Sequence, residues 1–202
     1  MTMKKRYKIP LIVFGTLAVF YFVLVIIRMF HFYNLDKANE QVAKIHNTKL
    51  TMDDVIGKNL PPDPGAEADK TIQGIDANKN GIRDDVELAI FKAYPDSAKT
   101  RAVLLQYALA LQMEATQKVV NEETVTAVAE EASRGFDCVG SIVERGEGDF
   151  ERLNIFLDFV KNKQFNTEQR KKAQKDFYKG KLGSYELPSG CDMDLKLLEN
   201  LS

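Results

Sequence analysis

Residues 9–27 (IPLIVFGTLAVFYFVLVII) form a run of 19 positions without a charge, and no other feature restricts the possible folds as strongly. Wound as a helix at 1.5 Å per residue, the run reaches about 28 Å, the thickness of the hydrocarbon layer of a bilayer. Lys4, Lys5, Arg6 and Lys8 precede it, whereas Arg28 follows it alone. The positive-inside bias therefore puts the N-terminus in the cytoplasm and the rest of the chain across the membrane. Tyr7 before the run and Phe30, Phe32 and Tyr33 after it suit the two interfaces. A cleaved signal peptide is the alternative, but it calls for an apolar stretch of about 7–15 residues ending in a small-x-small site. Val25-Ile26-Ile27-Arg28-Met29-Phe30 offers none, and no cysteine adjoins the run to take a lipid. The expectation is a single-pass signal-anchor in an inner (cell) membrane: a basic cytoplasmic tail over residues 1–8, a transmembrane segment over residues 9–30, and a periplasmic or extracellular remainder.

The formal net charge of -1 conceals an asymmetry. No acidic residue occurs in the first 33 positions, which hold five of the 28 basic residues, so 23 basic residues face 29 acidic ones from Asn34 onward. A domain carrying about -6 is a poor ligand for nucleic acid, which rewards clustered Lys and Arg. Nucleic acid is not an expected partner.

Beyond the membrane the two cysteines, Cys138 and Cys191, lie where disulfides persist. A bridge between them would close a loop of 54 residues, which chain entropy alone converts to about 4 kcal/mol. Two separately buried thiols are the alternative. A catalytic thiol is disfavoured, because His31 and His46 are the only histidines and lie far from both cysteines in sequence.

Residues 31–59 are polar with apolar positions at Leu35, Ala38, Val42, Ile45 and Met52, a narrow stripe that predicts a helical stalk. Gly57 and Leu60-Pro61-Pro62-Asp63-Pro64-Gly65 break any helix, so residues 60–74 read as a Pro-rich linker or an ordered extended arm. From residue 75 to the C-terminus the periodicity is helical, with no alternating strand pattern and no repeat. Helices are expected over residues 84–93, 96–120, from a cap at Asn121 to about 143, 149–161, and from a cap at Thr167 to about 178. Residues 183–190 read as loop, and Leu195, Leu198 and Leu201 mark a short helix in the tail. The helix over residues 96–120 is apolar on most of its circumference and should be central. The fold class is all-α: one transmembrane helix, then a small helical domain over residues 75–202 with one EF-hand-like loop.

That loop is Asp76-Ala-Asn78-Lys-Asn80-Gly81-Ile82-Arg-Asp84-Asp85-Val-Glu87, which fits D-x-N-x-N-G-x-x-D-x-x-E. Oxygen side chains at positions 1, 3 and 5 of a tight loop converge on one point, glycine at position 6 permits the turn, and position 7 offers its carbonyl. An acid at position 12 closes the shell from the following helix. Asp76, Asn78, Asn80, the Ile82 carbonyl, Asp84 and Glu87 are the expected ligands of Ca2+. Alternatively, the Asp and Asn side chains form Asx turns and cap the next helix.

At these residues the chain resembles the EF-hand-like calcium loops of thrombospondin type 3 and related bacterial repeats. It is also similar, over roughly residues 60–111, to bacterial envelope proteins that combine LPPDPG, such a loop and a YPDSAKTR-like stretch, here residues 60–65, 76–87 and 94–101. The resemblance implies an envelope location and a calcium site, and no activity. Arg83 departs from it by standing at position 8, where paired EF-hands place an apolar residue, which argues for a single loop. Asparagines at positions 3 and 5 lower the ligand charge and argue for weak binding.

Arg170, Lys171, Lys172, Lys175 and Lys179 read as a solvated basic helix face, and Glu122, Glu123, Glu130 and Glu131 as exposed acids. Ser133, Ser141 and Ser189 lie in no nucleophile-elbow pattern, and no phosphate loop or zinc spacing occurs. Nothing assembles a nucleophile, a base and an orienting group. The expected role is therefore a membrane-anchored binding or scaffold protein acting on a protein partner in the envelope. A calcium-stabilised accessory subunit and an enzyme built on an unrecognised carboxylate pair are the alternatives.

Overall fold

The structure is a computed structural model that describes residues 8–143, 146, 148–179, 182–184, 187–199 and 201. Lys4, Lys5, Arg6 and Tyr7, which enter the orientation expectation, lie outside them. Among the described residues there are seven α-helices, two short 3-10 helices and no strand. The all-helical class expected from periodicity is the observed one.

The first helix, α1 (Lys8–Asn47), contains the uncharged run and continues through the stripe at Val42 and Ile45 without a break. Among the described residues it is the one helix long and apolar enough to cross a membrane, and none of its most apolar window is buried by the protein itself. Phe14, Phe20, Phe22 and Phe30 are each more than 60% exposed. Surface of that kind is at home in lipid rather than in water.

The chain divides into two compact units, Met1–Glu40 and Gln41–Ser202. Within the second, Thr51 caps the short α2 (Met52–Ile56) through a capping box with Asp54. A 3-10 turn (Gly65–Asp69) ends the proline-rich stretch. Helices α3 (Asp84–Ala93), α4 (Ala98–Thr116), α5 (Glu122–Gly140), α6 (Asp149–Gln164) and α7 (Glu168–Phe177) follow. The tail closes with a 3-10 turn, Leu195–Leu198. Ser97, Asn121 and Thr167 each accept a backbone N–H three residues on; α5 and α7 start at the expected caps, and α4 is shorter at both ends than the expected 96–120.

Helix α4 is the centre. Val103, Leu104, Leu105, Ala108, Leu109 and Leu111 cover its circumference and are buried, and α3, α5, α6 and α7 pack around it. Ile82, Val86 and Ile90 from the loop and α3 join Leu157 and Val160 of α6 in the same core. Gly135 sets the approach of α5: a Cβ there would stand 3.0 Å from the Tyr107 Cα. Ile45 of α1 packs with Val125, Val128 and Phe177. Cys138 and Cys191 form a disulfide joining α5 to the tail, and Leu198 is buried against Val55, Ala98 and Ala102.

Two expectations for charged residues are corrected. Arg170 is fully buried rather than on a solvated face. It donates to the carbonyls of Ala68, Thr71 (2.9 Å) and Ile72 (3.1 Å) and pairs with Asp69. One guanidinium thus satisfies three carbonyls of residues 68–72 that form no sheet or helix ladder. Glu131 is also buried, held between His46 (2.8 Å), Lys49 (2.8 Å) and Arg134. Lys171, Lys172 and Lys179 do stand exposed, paired with Glu168 or Asp176.

Candidate metal centre

The loop between Ile75 and α3 turns tightly because two residues take positive φ, Lys79 (61°) and Gly81 (86°). At Gly81 a side chain would be strained by φ and would also meet the Leu109 Cδ1 at 2.7 Å. The Ile82 side chain is fully buried in the core, which fixes the backbone carbonyl expected to serve as a ligand. On the far side of Ile82 the Arg83 guanidinium, also fully buried, donates to the carbonyls of Lys163 (2.8 Å) and Gln164 (3.1 Å) and pairs with Asp85. The residue that departs from the paired EF-hand pattern therefore caps the C-terminus of α6.

The expected ligands fold inward onto their own backbone. Asp76 accepts the amides of Asn80 (3.1 Å) and Gly81 (3.0 Å), and Asn80 Oδ1 accepts that of Ile82 (2.9 Å). Asp84 accepts the Ala77 amide through both oxygens, at 3.0 and 3.2 Å. Asn78 Nδ2 donates to Glu87 Oε2 at 3.0 Å and to the Asn59 carbonyl at 3.0 Å. Asp76, Asn78, Asn80 and Glu87 are thereby brought together, while Asp84 sits at the loop entrance. Among the described residues no cluster of three or more His, Cys, Asp or Glu side chains has a metal-holding arrangement. In this arrangement backbone amides, an asparagine amide and Asx-type turns take up most of the oxygens.

What those bonds leave over bears on the fit of a cation. Among the described residues three buried side-chain polar atoms lack a hydrogen-bond partner: Glu87 Oε1, Asn80 Nδ2 and Gln164 Oε1. Two belong to this loop. An unpartnered carboxylate oxygen on a fully buried side chain is costly unless a cation or proton meets it. Burial pushes the Glu87 carboxyl up to about 7, against the lowering effect of the neighbouring Asn78 and Asn80 side-chain amides and with help from the charges of Asp54 and Asp84. Burial likewise raises Asp84, with the Ala77 amide opposing it. The donor set of carboxylates, amide oxygens and a carbonyl is the hard-oxygen set that suits Ca2+.

Two contributors were not visible in the loop motif. Asp54, from α2, adds negative charge near Glu87, and the Asn59 carbonyl holds Asn78. Each lies well upstream in sequence, and no spacing rule connects them to the loop. Comparison with protein-family models, with characterised proteins and with solved structures finds no match.

Proposed function

We propose that this chain is a single-pass envelope protein whose helical domain lies outside the cytoplasm and serves as a binding or scaffold module, with Ca2+ at the Asp76–Glu87 loop stabilising its fold. The observation that carries the calcium reading is the fully buried Glu87 carboxyl: among the described residues its Oε1 has no hydrogen-bond partner of good geometry, and the Asn78 and Asn80 amides that act on it carry no charge. In the bound form Asp76 and Glu87 supply the charge, Asn78, Asn80 and the Ile82 carbonyl supply neutral oxygens, and Asp84 supports the shell directly or through water. The ion joins the start of α3 to the loop and offsets the negative charge of Asp54, Asp84 and Glu87. It acts as a fixed brace and carries no reaction step. The resemblance to envelope proteins and the basic residues before the apolar run support the location and orientation.

The experiment is thermal unfolding of the full-length protein in lipid nanodiscs, in chelator and in several millimolar calcium. A single loop with two asparagines falls in the weak extracellular class, with a dissociation constant on the order of 0.1–1 mM. At ten times that value mass action contributes about 1.4 kcal/mol, a rise of roughly 3–6 °C for a domain of this size. Asp76→Ala and Glu87→Gln remove the rise. Identical melting of the wild type in chelator and calcium sinks the proposal and leaves the Asx-turn cap as the whole role of the motif.

A further inference from the structure

Away from the loop, a cleft of about 560 Å³ opens between α4, α5 and α7, closed on one side by Leu182 and residues 187–189. That volume lies within the ~300–1,000 Å³ typical of small-molecule sites. Leu111, Ala129, Ala132 and Phe136 make its walls apolar, and among the described residues no Lys, Arg or His lines it. At its edge stands Glu114, only 5% exposed. Its carboxyl accepts the Tyr178 hydroxyl at 2.7 Å and the Gln174 amide at 2.5 Å, both neutral donors. Among the described residues no cation is ion-paired with it, although Lys161 acts on it from farther away. Burial pushes this carboxyl up, as it does any acid whose charge lacks a local partner.

We infer that this cleft binds a small molecule with an apolar body and a primary ammonium head, the ammonium pairing with Glu114 and the body lying along Leu111, Ala129 and Phe136. Each carboxylate oxygen that accepts one neutral donor keeps acceptor capacity, so an ammonium with three N–H donors can join Tyr178 and Gln174 without displacing them. The rings of Tyr178 and Phe136 also line the cleft. Among the described lining residues the charged groups that an anionic ligand meets are the carboxylates Glu114 and Asp137, which repel it. A neutral apolar ligand removes water from the carboxylate without replacing it and is bound less well.

The test uses full-length protein in lipid nanodiscs and three matched probes: 4-(4-fluorophenyl)butylamine, the corresponding alcohol and the corresponding carboxylate. Binding is read by fluorine NMR, and the A132F variant, which fills the cleft without touching Glu114, supplies the lipid background. The amine should saturate one site with a dissociation constant on the order of 0.1–1 mM, given the ceiling on binding for ligands of this size. The alcohol should bind at least about tenfold more weakly and the carboxylate should not saturate. Glu114→Gln should bring the amine to the level of the alcohol, and A132F should abolish saturable binding of both. The inference is overturned if amine and alcohol bind alike, if Glu114→Gln leaves the preference intact, or if the amine saturates nothing by about tenfold above that range.

Discussion

Glu87 shows what a single buried carboxyl can do to the pH response of the molecule. In chelator its acidity is moved from the ordinary 4.5 to about 7. The folded chain therefore keeps a proton that the unfolded chain has already released. This contribution to stability is complete below about pH 4.5 and is lost as pH rises to about 7, with an upper limit of about 3 kcal/mol. Asp84 is shifted in the same direction, so the clean readout is a comparison: urea midpoints in chelator should fall less steeply over that interval for Glu87→Gln than for the wild type. With calcium present the trend reverses, because the ion needs the ionised carboxylate, and the calcium-dependent rise in melting temperature should be larger at pH 8 than at pH 6. A second contrast lies within one basic run. Arg170→Met leaves three carbonyls without their donor, removes the cation from Asp69, which keeps its bond from Asn166, and should cost at least about 3 kcal/mol. Lys171→Met breaks one exposed pair with Glu168 and should change stability by no more than about 0.5 kcal/mol. The sequence places both residues on a polar helix, but nothing in it distinguishes the buried arginine from its solvated neighbour. The distinction comes from residues 68–72, about a hundred positions away, whose unladdered carbonyls need a donor.

At the level of elements, what was legible was local. Caps at Asn121 and Thr167 and the break at residues 60–65 are written in neighbouring side chains, so those boundaries follow directly from sequence, whereas the helix expected over residues 96–120 runs Ala98–Thr116 from a cap at Ser97. The apolar circumference of α4 announces its central position for the same reason. The loop motif is legible as a pattern, but Asp54 and Asn59 reach it only through folding, as does the docking of the α6 C-terminus on Arg83. The proline-rich stretch reads equally as linker or arm; in the fold Pro61 and Ala68 are buried, and Arg170 holds residues 68–72. The tail depends on a covalent tie. Cys138–Cys191 holds the segment leading to Leu198, whose side chain fills the space between Val55 and Ala102. Replacing both cysteines by serine should lower stability by about 2–4 kcal/mol, measured by urea unfolding, and should make the tail the first site of proteolysis. Protein purified and denatured without reductant should show no free thiol.

For the molecule as a whole, an anchor and a braced domain make separable claims. Orientation is tested by reporters fused after Ser202: one active only outside the cytoplasm should be active, and activity of a cytoplasm-only reporter would reverse the topology. The central claim, that the Asp76–Glu87 loop is a calcium site and not only a helix cap, is tested most directly by equilibrium dialysis of the full-length protein against radiolabelled calcium. One ion should bind per chain, half-saturated on the order of 0.1–1 mM, and none should bind to Glu87→Gln. No saturable binding by the wild type up to about 10 mM, or undiminished binding by Glu87→Gln, would contradict it.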